Sequence, residues 1–272
     1  MNRLRRRGAC VTVVALLGVF AIPASAFAIP VVTLSGSTSV APLARLLARG
    51  YLKDKNLKGK LKFKLAQGGS DVGVSDVAAG RVSIGNSSRD PKPSDQGVVF
   101  NKIAKDAICL VTNNANRLPN LTQPQIQGIF SGSIRNWEDV PGATVNGPIN
   151  LNVRTPASGT QDAFQKIFMG SKNVSSIAAA RASNGLIQTS VQSDKNAIGY
   201  VSQDFIGGTN TTAYQGVACN LANAKSGQYG GVRTFYMVTR GSARGATAKF
   251  INWVQNAAPA QRIIGTHWVP LQ

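Results

Sequence analysis

Histidine is almost missing from this chain, with His267 the only one. Acids are scarce as well, 11 Asp and Glu against 30 Lys and Arg, and none of the three cysteines forms a CxxC pair. A Ser-His-Asp triad needs a histidine beside its nucleophile. His267 stands between Thr266 and Trp268 near the C-terminus, where a surface or packing role is expected. A structural zinc site needs four clustered Cys and His ligands, which this composition does not supply. The GxxxxGK[ST] loop of nucleotide hydrolases is also absent. Ester hydrolysis would need a metal or an activated nucleophile, so the expectation is a non-enzymatic protein without metal or cofactor.

Long apolar runs are lacking beyond the first 28 residues. Arg3, Arg5, Arg6 and Arg7 precede an apolar run over 11–22, and both Ala24-Ser25-Ala26 and Ala26-Phe27-Ala28 fit a small-x-small cleavage site. That is the pattern of a secretory leader, and the run is short for a membrane span. Residues 1–28 are therefore expected to be a cleaved signal peptide. The remainder would be periplasmic or secreted, without an integral membrane segment. Cys10 leaves with the leader, and Cys109 and Cys219 remain as one disulfide or as two buried thiols.

Four of the 30 basic residues and none of the 11 acids lie in the leader, so the rest carries +15. Such a surplus favours anionic partners. Lys53, Lys55, Lys58, Lys60, Lys62 and Lys64 form a basic run that reads as a solvated face. It lacks the repeated aromatics of a base-stacking platform, Phe63 alone falling among the lysines, and no nucleic-acid motif accompanies it. The alternative use of that face is polyanion binding by an adhesin or matrix-type interaction protein.

Short β-branched runs alternate with amphipathic stretches, which predicts an α/β fold. Strands are expected at 31–34, 61–65, 82–84, 107–112, 149–153, 197–201 and 234–239, with 107–112 and 234–239 as candidate crossings between lobes. Helices are expected at 42–52, from 70 to 79, at 122–130 and 161–169, and a closing one at 246–257. Pro42 suits a first turn, Thr122 an N-cap, and Gly80 a helix end.

Four times a short strand ends in a Gly/Ser/Thr turn ahead of a helix or polar turn: Ser37-Thr38-Ser39, Gly68-Gly69-Ser70, Ser87-Ser88-Arg89 and Ser158-Gly159-Thr160. Helix starts offer unpaired N–H groups and partial positive charge. Glycine lets the backbone approach a ligand, and hydroxyls add rotatable donors. Arg154, four residues ahead of the last turn, adds a fork that grips two oxygens. Any one of these turns is ordinary capping chemistry; together they point to a clamp for a phosphate-like oxyanion.

From Val32 to about Phe168 the chain resembles the phosphate-binding proteins of bacterial phosphate ABC transporters. The marks are Gly36-Ser37-Thr38-Ser39 before Ala41-Pro42-Leu43, Gln67-Gly68-Gly69-Ser70, Ile84-Gly85-Asn86-Ser87-Ser88-Arg89, Ile129-Phe130-Ser131-Gly132 ahead of Asn136-Trp137, and Arg154 with Ser158-Gly159-Thr160. The resemblance implies a two-lobed periplasmic binding protein fold (type II-like), with lobe 1 at 29–108 and 235–272 and lobe 2 at 109–234. It implies inorganic phosphate in the cleft, hinge closure, a monomer, and a permease partner. Ligand residues by resemblance are Thr38, Ser39, Ser70, Ser88, Arg89, Asp90, Arg154, Ser158, Gly159 and Thr160. Relatives often place a carboxylate right after the serine of the third turn, to accept the proton of hydrogen phosphate and exclude sulfate. Here Ser88 and Arg89 take that place and Asp90 follows, so Asp90 is either that acceptor or a partner for Arg89, and sulfate stays an alternative ligand.

Overall fold

The computed structural model describes residues 29–271. The leader read from residues 1–28 lies outside them. Among the described residues no helix is long and apolar enough to cross a membrane.

The chain opens β1 (Val31–Gly36), α1 (Ala41–Asp54), β2 (Lys62–Leu65), α2 (Ser70–Ala78), β3 (Ile84–Ser87), a regular βα alternation with β2 and β3 parallel to β1. Leu61, Phe63 and Leu65 turn inward while Lys62 and Lys64 stay exposed. β2 is a sheet edge, and lysines there discourage pairing with another chain. Then comes β4 (Val98–Thr112), the longest strand, followed by β5 (Asn120–Leu121), α3 (Gln123–Ser131), β6 (Asn150–Arg154) and α4 (Gly159–Phe164). α4 runs on into a π-helical turn over Gln165–Met169. β7 (Ala179–Arg181), α5 (Asn184–Ser193), β8 (Ala197–Ser202), β9 (Asn210–Tyr214) and α6 (Leu221–Ser226) follow. β10 (Val232–Arg240) returns, and α7 (Gly245–Asn256) and α8 (Ala258–His267) close the described chain.

The sheet order is β2-β1-β3-β10-β4-β8-β6-β7. Its centre is the antiparallel pair β4 and β10, paired from Val98 with Arg240 to Ala107 with Val232 with one register shift between Phe235 and Tyr236. One hydrophobic core gathers Val32, Leu34, Leu43, Leu47, Ile103, Ala104, Phe235 and Met237 with Trp253 and Trp268. A second gathers Ile108, Leu110, Ile129, Phe130, Trp137, Phe164 and Tyr200. The two long strands thus pass from one core to the other, and the fold is α/β with two lobes joined by crossing strands.

Three expectations need correction. The crossing strand begins at Val98 rather than 107, because Asn101, Lys102, Lys105 and Asp106 interrupt its apolar pattern while its ladder with β10 continues. β3 starts at Ile84 and includes Asn86 and Ser87, polar residues that are fully buried. A further helix, α8, follows the one expected to be last. Pro259 lies in its first turn, where the missing N–H costs nothing.

Thr122 caps α3 in a reciprocal capping box with Gln125. The Trp137 indole is buried in the same core as α3 and donates to the Asn196 carbonyl at 2.9 Å. His267 is an exposed side chain, 3.5 Å from Asp204. Cys109 and Cys219 form a disulfide with Cα atoms 5.6 Å apart, which tethers the segment before α6 to β4. A cross-link closing so long a loop contributes about 2–5 kcal/mol. Cys219→Ser is therefore expected to lower the urea-unfolding free energy by roughly that amount, read by far-UV dichroism; an unchanged midpoint would refute it.

Candidate functional site

The seam between the lobes is built by backbone that approaches very closely. At the end of β1, Gly36 has φ +120°, and a Cβ there would fall 2.4 Å from the Asn86 carbonyl; only glycine fits. The chain then turns through Ser37, whose Oγ accepts from the amides of Ser39 (3.2 Å) and Val40 (3.3 Å) and donates to Ser88 Oγ at 2.9 Å. That leaves Thr38 and Ser39 at the start of α1, both buried. At the start of α2, Gly69 has φ +100° and meets the Ala157 carbonyl of the other lobe. The Asp71 amide donates to that same carbonyl at 3.1 Å. Ser70 Oγ accepts from the Ser88 amide at 3.0 Å and lies 3.3 Å from Ser88 Oγ.

From the second lobe, β6 ends at Arg154 and the chain turns through Ser158, which caps α4 by accepting from the Thr160 amide at 3.1 Å. Gly159 faces Ser70, Ser88 and the Arg89 amide so closely that a Cβ would sit 2.4 Å from Ser70 Oγ. Thr160 Oγ1 lies 3.0 Å from Ser39 Oγ across the seam. Tyr200 supports this turn: its hydroxyl accepts from the Arg154 amide at 3.0 Å and donates to the Gln161 side chain, and its ring stacks on Phe164. Burial raises the Tyr200 pKa, so the hydroxyl keeps its proton for that bond.

Arg154 is the electrostatic centre. It is buried, and its guanidinium donates to the Arg181 carbonyl (3.2 Å), the Ala182 carbonyl (2.9 Å), Thr38 Oγ1 (3.2 Å) and Thr160 Oγ1 (3.4 Å). None of the ion pairs among the described residues involves it. Burial pushes its pKa down to about 10, with the Tyr200 side chain opposing and the like charge of Arg233 adding to the fall. It therefore stays charged at neutral pH, among neutral partners. A buried charge with no counter-charge calls for an anion.

Thr38, Ser39, Ser70, Ser88, Arg154, Ser158, Gly159 and Thr160 are thus brought together. Arg89 and Asp90 send their side chains elsewhere. The Arg89 guanidinium, though buried, is taken by Asp71 at 2.6 Å and Asp95 at 2.7 Å. Burial works against its charge, but the hydrogen bonds to Asp95 and Asp71 more than offset this and raise its pKa. The Asp90 carboxylate accepts from Lys166 at 2.7 Å and from the Tyr236 hydroxyl at 2.9 Å. The Lys166 bond foremost holds it below the ordinary carboxylate range.

Sequence reasoning missed four contributors. Asn184, the first residue of α5, donates from its amide to Thr38 Oγ1 at 3.1 Å and Ser39 Oγ at 2.8 Å. Arg233 donates to Ser39 Oγ at 2.9 Å, and Asp106 and Ser202 stand behind it. A usable signal existed for Arg233 and Asp106: each is a charge at the edge of a strand expected to cross between lobes.

The model of the PBP superfamily domain matches residues 21–257. The phosphate-binding protein PstS of Staphylococcus epidermidis is 28% identical over 179 residues, 62% of this chain and 54% of that protein. The Bacillus subtilis phosphate-binding protein PstS is 24% identical over 230 residues, 82% of this chain and 75% of that protein. The chain spans about half the length of the staphylococcal relative. Among solved structures, a substrate-binding protein from Clostridium perfringens with bound phosphate superposes with a TM-score of 0.82 at 29% identity, covering 89% of this chain and all of that one. An ABC-type phosphate transport receptor from Vibrio cholerae gives 0.69 at 26% identity, over 88% of this chain and 100% of that one.

The closeness of Gly159 to the first lobe yields a test. In Gly159→Ala, the added methyl collides with Ser70 Oγ and with the backbone of Ser88 and Arg89, while both cores are left alone. Cooperative thermal unfolding should persist, and small-angle scattering should show a larger radius of gyration than wild type. Identical scattering curves would mean that the seam tolerates the methyl.

Proposed function

We propose that this chain, which belongs to the PBP superfamily, is a receptor that closes two lobes around inorganic phosphate and presents it to an ABC transporter. The observation that carries this reading is Arg154: a buried guanidinium whose partners among the described residues are carbonyls and hydroxyls, ringed by hydroxyls from both lobes. A tetrahedral oxyanion supplies the missing counter-charge and accepts from several of these donors at once. The similarity to receptors named for phosphate, one of them solved with phosphate bound, supports the choice of ligand.

The two cores support lobe boundaries at 29–108 with 235–272, and at 109–234. Closure follows from differential binding: donors contributed by both lobes can be satisfied together only in the closed state, so the anion favours it. Thr38, Ser39 and Ser70 act from the first lobe, and Arg154, Ser158, Gly159 and Thr160 from the second. Ser88 is the residue we assign to the proton of hydrogen phosphate, because a hydroxyl can accept as well as donate and the Asp90 carboxylate is engaged with Lys166. No step requires a nucleophile or a metal, so the protein binds without turning over. The leader read at residues 1–28 and the Cys109–Cys219 disulfide support a periplasmic or secreted location.

Isothermal titration of the purified protein with phosphate, sulfate, arsenate and molybdate tests the reading. Phosphate should bind with micromolar or tighter affinity and more tightly than sulfate. Arg154→Ala should weaken it by about 100-fold or more, the scale of removing a desolvated charge contact. Silence with every oxyanion would refute the proposal, and sulfate binding more tightly than phosphate would replace its ligand.

A further inference from the structure

The crossing strands carry a second buried guanidinium. Arg233 of β10 and Asp106 of β4 are direct cross-strand partners, on the stretch between the two cores. Their side chains are 4% and 0% exposed. Nε and Nη2 of Arg233 lie 3.1 and 2.9 Å from one Asp106 oxygen. The other oxygen accepts from the Ser202 hydroxyl at 2.8 Å. The Ser202 amide donates to the Asn184 side chain at 3.1 Å, and Asn184 in turn donates to Thr38 and Ser39.

A guanidinium has five N–H donors arranged along more than one usable edge. In Arg233 the edge formed by Nε and Nη2 is spent on Asp106. Nη2 reaches further, to Ser39 Oγ at 2.9 Å, and so stands at the hydroxyl ring around Arg154. Nη1, beside it on the second edge, is buried and has no hydrogen-bond partner among the described residues. A buried charged donor is costly to leave unused and calls for an explanation. Arg233 also lines a cavity of ≈ 390 Å³ together with Ser88, Arg89 and Lys166. It stands, then, between the hydroxyl ring and an opening lined by both charges, where Lys166 meets Asp90 and Lys92 meets Asp162.

We propose that Arg233 is a ligand-binding residue: its unused Nη1 donates to an oxygen of the bound anion next to Ser39, with Asp106 fixing the guanidinium from behind. This rests on the oxyanion reading of the site and adds a second positive charge to it. Arg154 comes from the second lobe, whereas Arg233 comes from the strand joining both. The like charge of Arg233 already weighs on Arg154, and a doubly charged oxyanion between them relieves that repulsion. The favoured ligand form is accordingly the dianion, held by two guanidinium groups with a single carboxylate behind one of them.

The test uses the purified protein and inorganic phosphate. Removing Arg233 alone would leave Asp106 buried without a partner, so the informative variant is Asp106→Leu/Arg233→Met, which replaces the pair with apolar side chains of similar size. It should unfold cooperatively and bind phosphate roughly 10- to 100-fold more weakly than wild type, the scale of one or two charge-assisted hydrogen bonds. Arg233→Lys, which keeps the charge and loses the fork, should fall between the two. Affinity within about threefold of wild type in either variant, less than a single such bond, would overturn the assignment. A wild-type protein that takes no heat from phosphate would sink the receptor reading and this inference with it. Phosphate binding by wild type that the variants retain in full sinks this inference alone.

Discussion

A positive charge buried without a counter-charge is the constraint from which the rest of the molecule can be understood. Arg154 sits at the end of β6, where the lobes meet, and gives its hydrogen bonds to two carbonyls and two hydroxyls. Those neutral acceptors orient the guanidinium without neutralising it. Two of them, Arg181 and Ala182, come from the end of β7 and just beyond, and Tyr200 fixes the Arg154 amide from β8. Three strands of the second lobe therefore position one residue, β6 carrying it, β7 taking its guanidinium and β8 its amide. Effort on that scale around an uncompensated charge makes sense when the compensation arrives from outside. The proposed anion is a partner that completes the arrangement.

The same constraint explains the backbone of the seam. A small tetrahedral anion is surrounded only if the lobes approach within hydrogen-bond distance of one another. Gly69 against Ala157, and Gly159 against Ser70 and Ser88, are contacts that a side chain on either glycine would block. Asp71 adds a main-chain hydrogen bond across the same line. Further out, Lys166 meets Asp90 at 2.7 Å and Lys92 meets Asp162 at 2.7 Å. These outer pairs are partly exposed and contribute little individually. Selectivity for the closed form rests on the buried donors, with the rim aligning the two faces.

Much of this was legible in the sequence, for reasons that differ by element. β1, β2 and α1 follow from plain alternation and a helical apolar face. The ring of hydroxyls follows from glycine and serine clusters placed after strands. What remained hidden was buried polarity. β3 carries Asn86 and Ser87 inside the protein, and β4 carries Asn101, Lys102, Lys105 and Asp106 within its ladder, so an apolar pattern shortened one strand and shifted the other. α5 and α6 are short and mostly polar, with only Leu186, Ile187 and Val191 as the larger apolar positions of α5, and such helices give a weak periodic signal. Asn184 was missed for this reason. Arg89 shows the opposite limit: its place after Ser88 suggested a ligand contact, and only the fold shows that Asp71 and Asp95 converge on its guanidinium.

The charge balance of the site links binding to motion. When the lobes close, Arg154 exchanges water for hydroxyls and carbonyls, and the field of Arg233 acts on it through a medium of low dielectric. Closure alone therefore raises the cost of both charges. In the proposed site an oxyanion reverses the sign of that balance, because the low dielectric that penalises the unpaired Arg154 beside the Asp106-paired Arg233 strengthens the attraction of both to an anion between them. The gain appears only in the closed state, where donors from both lobes and from β10 face one point. The anion's affinity for the open form is correspondingly lower, and that difference is the most by which it can shift the equilibrium. Arg233 matters to this argument through its position. A ligand contact on β10, a strand shared by the two cores, ties the bound anion to the element that must bend when the lobes move.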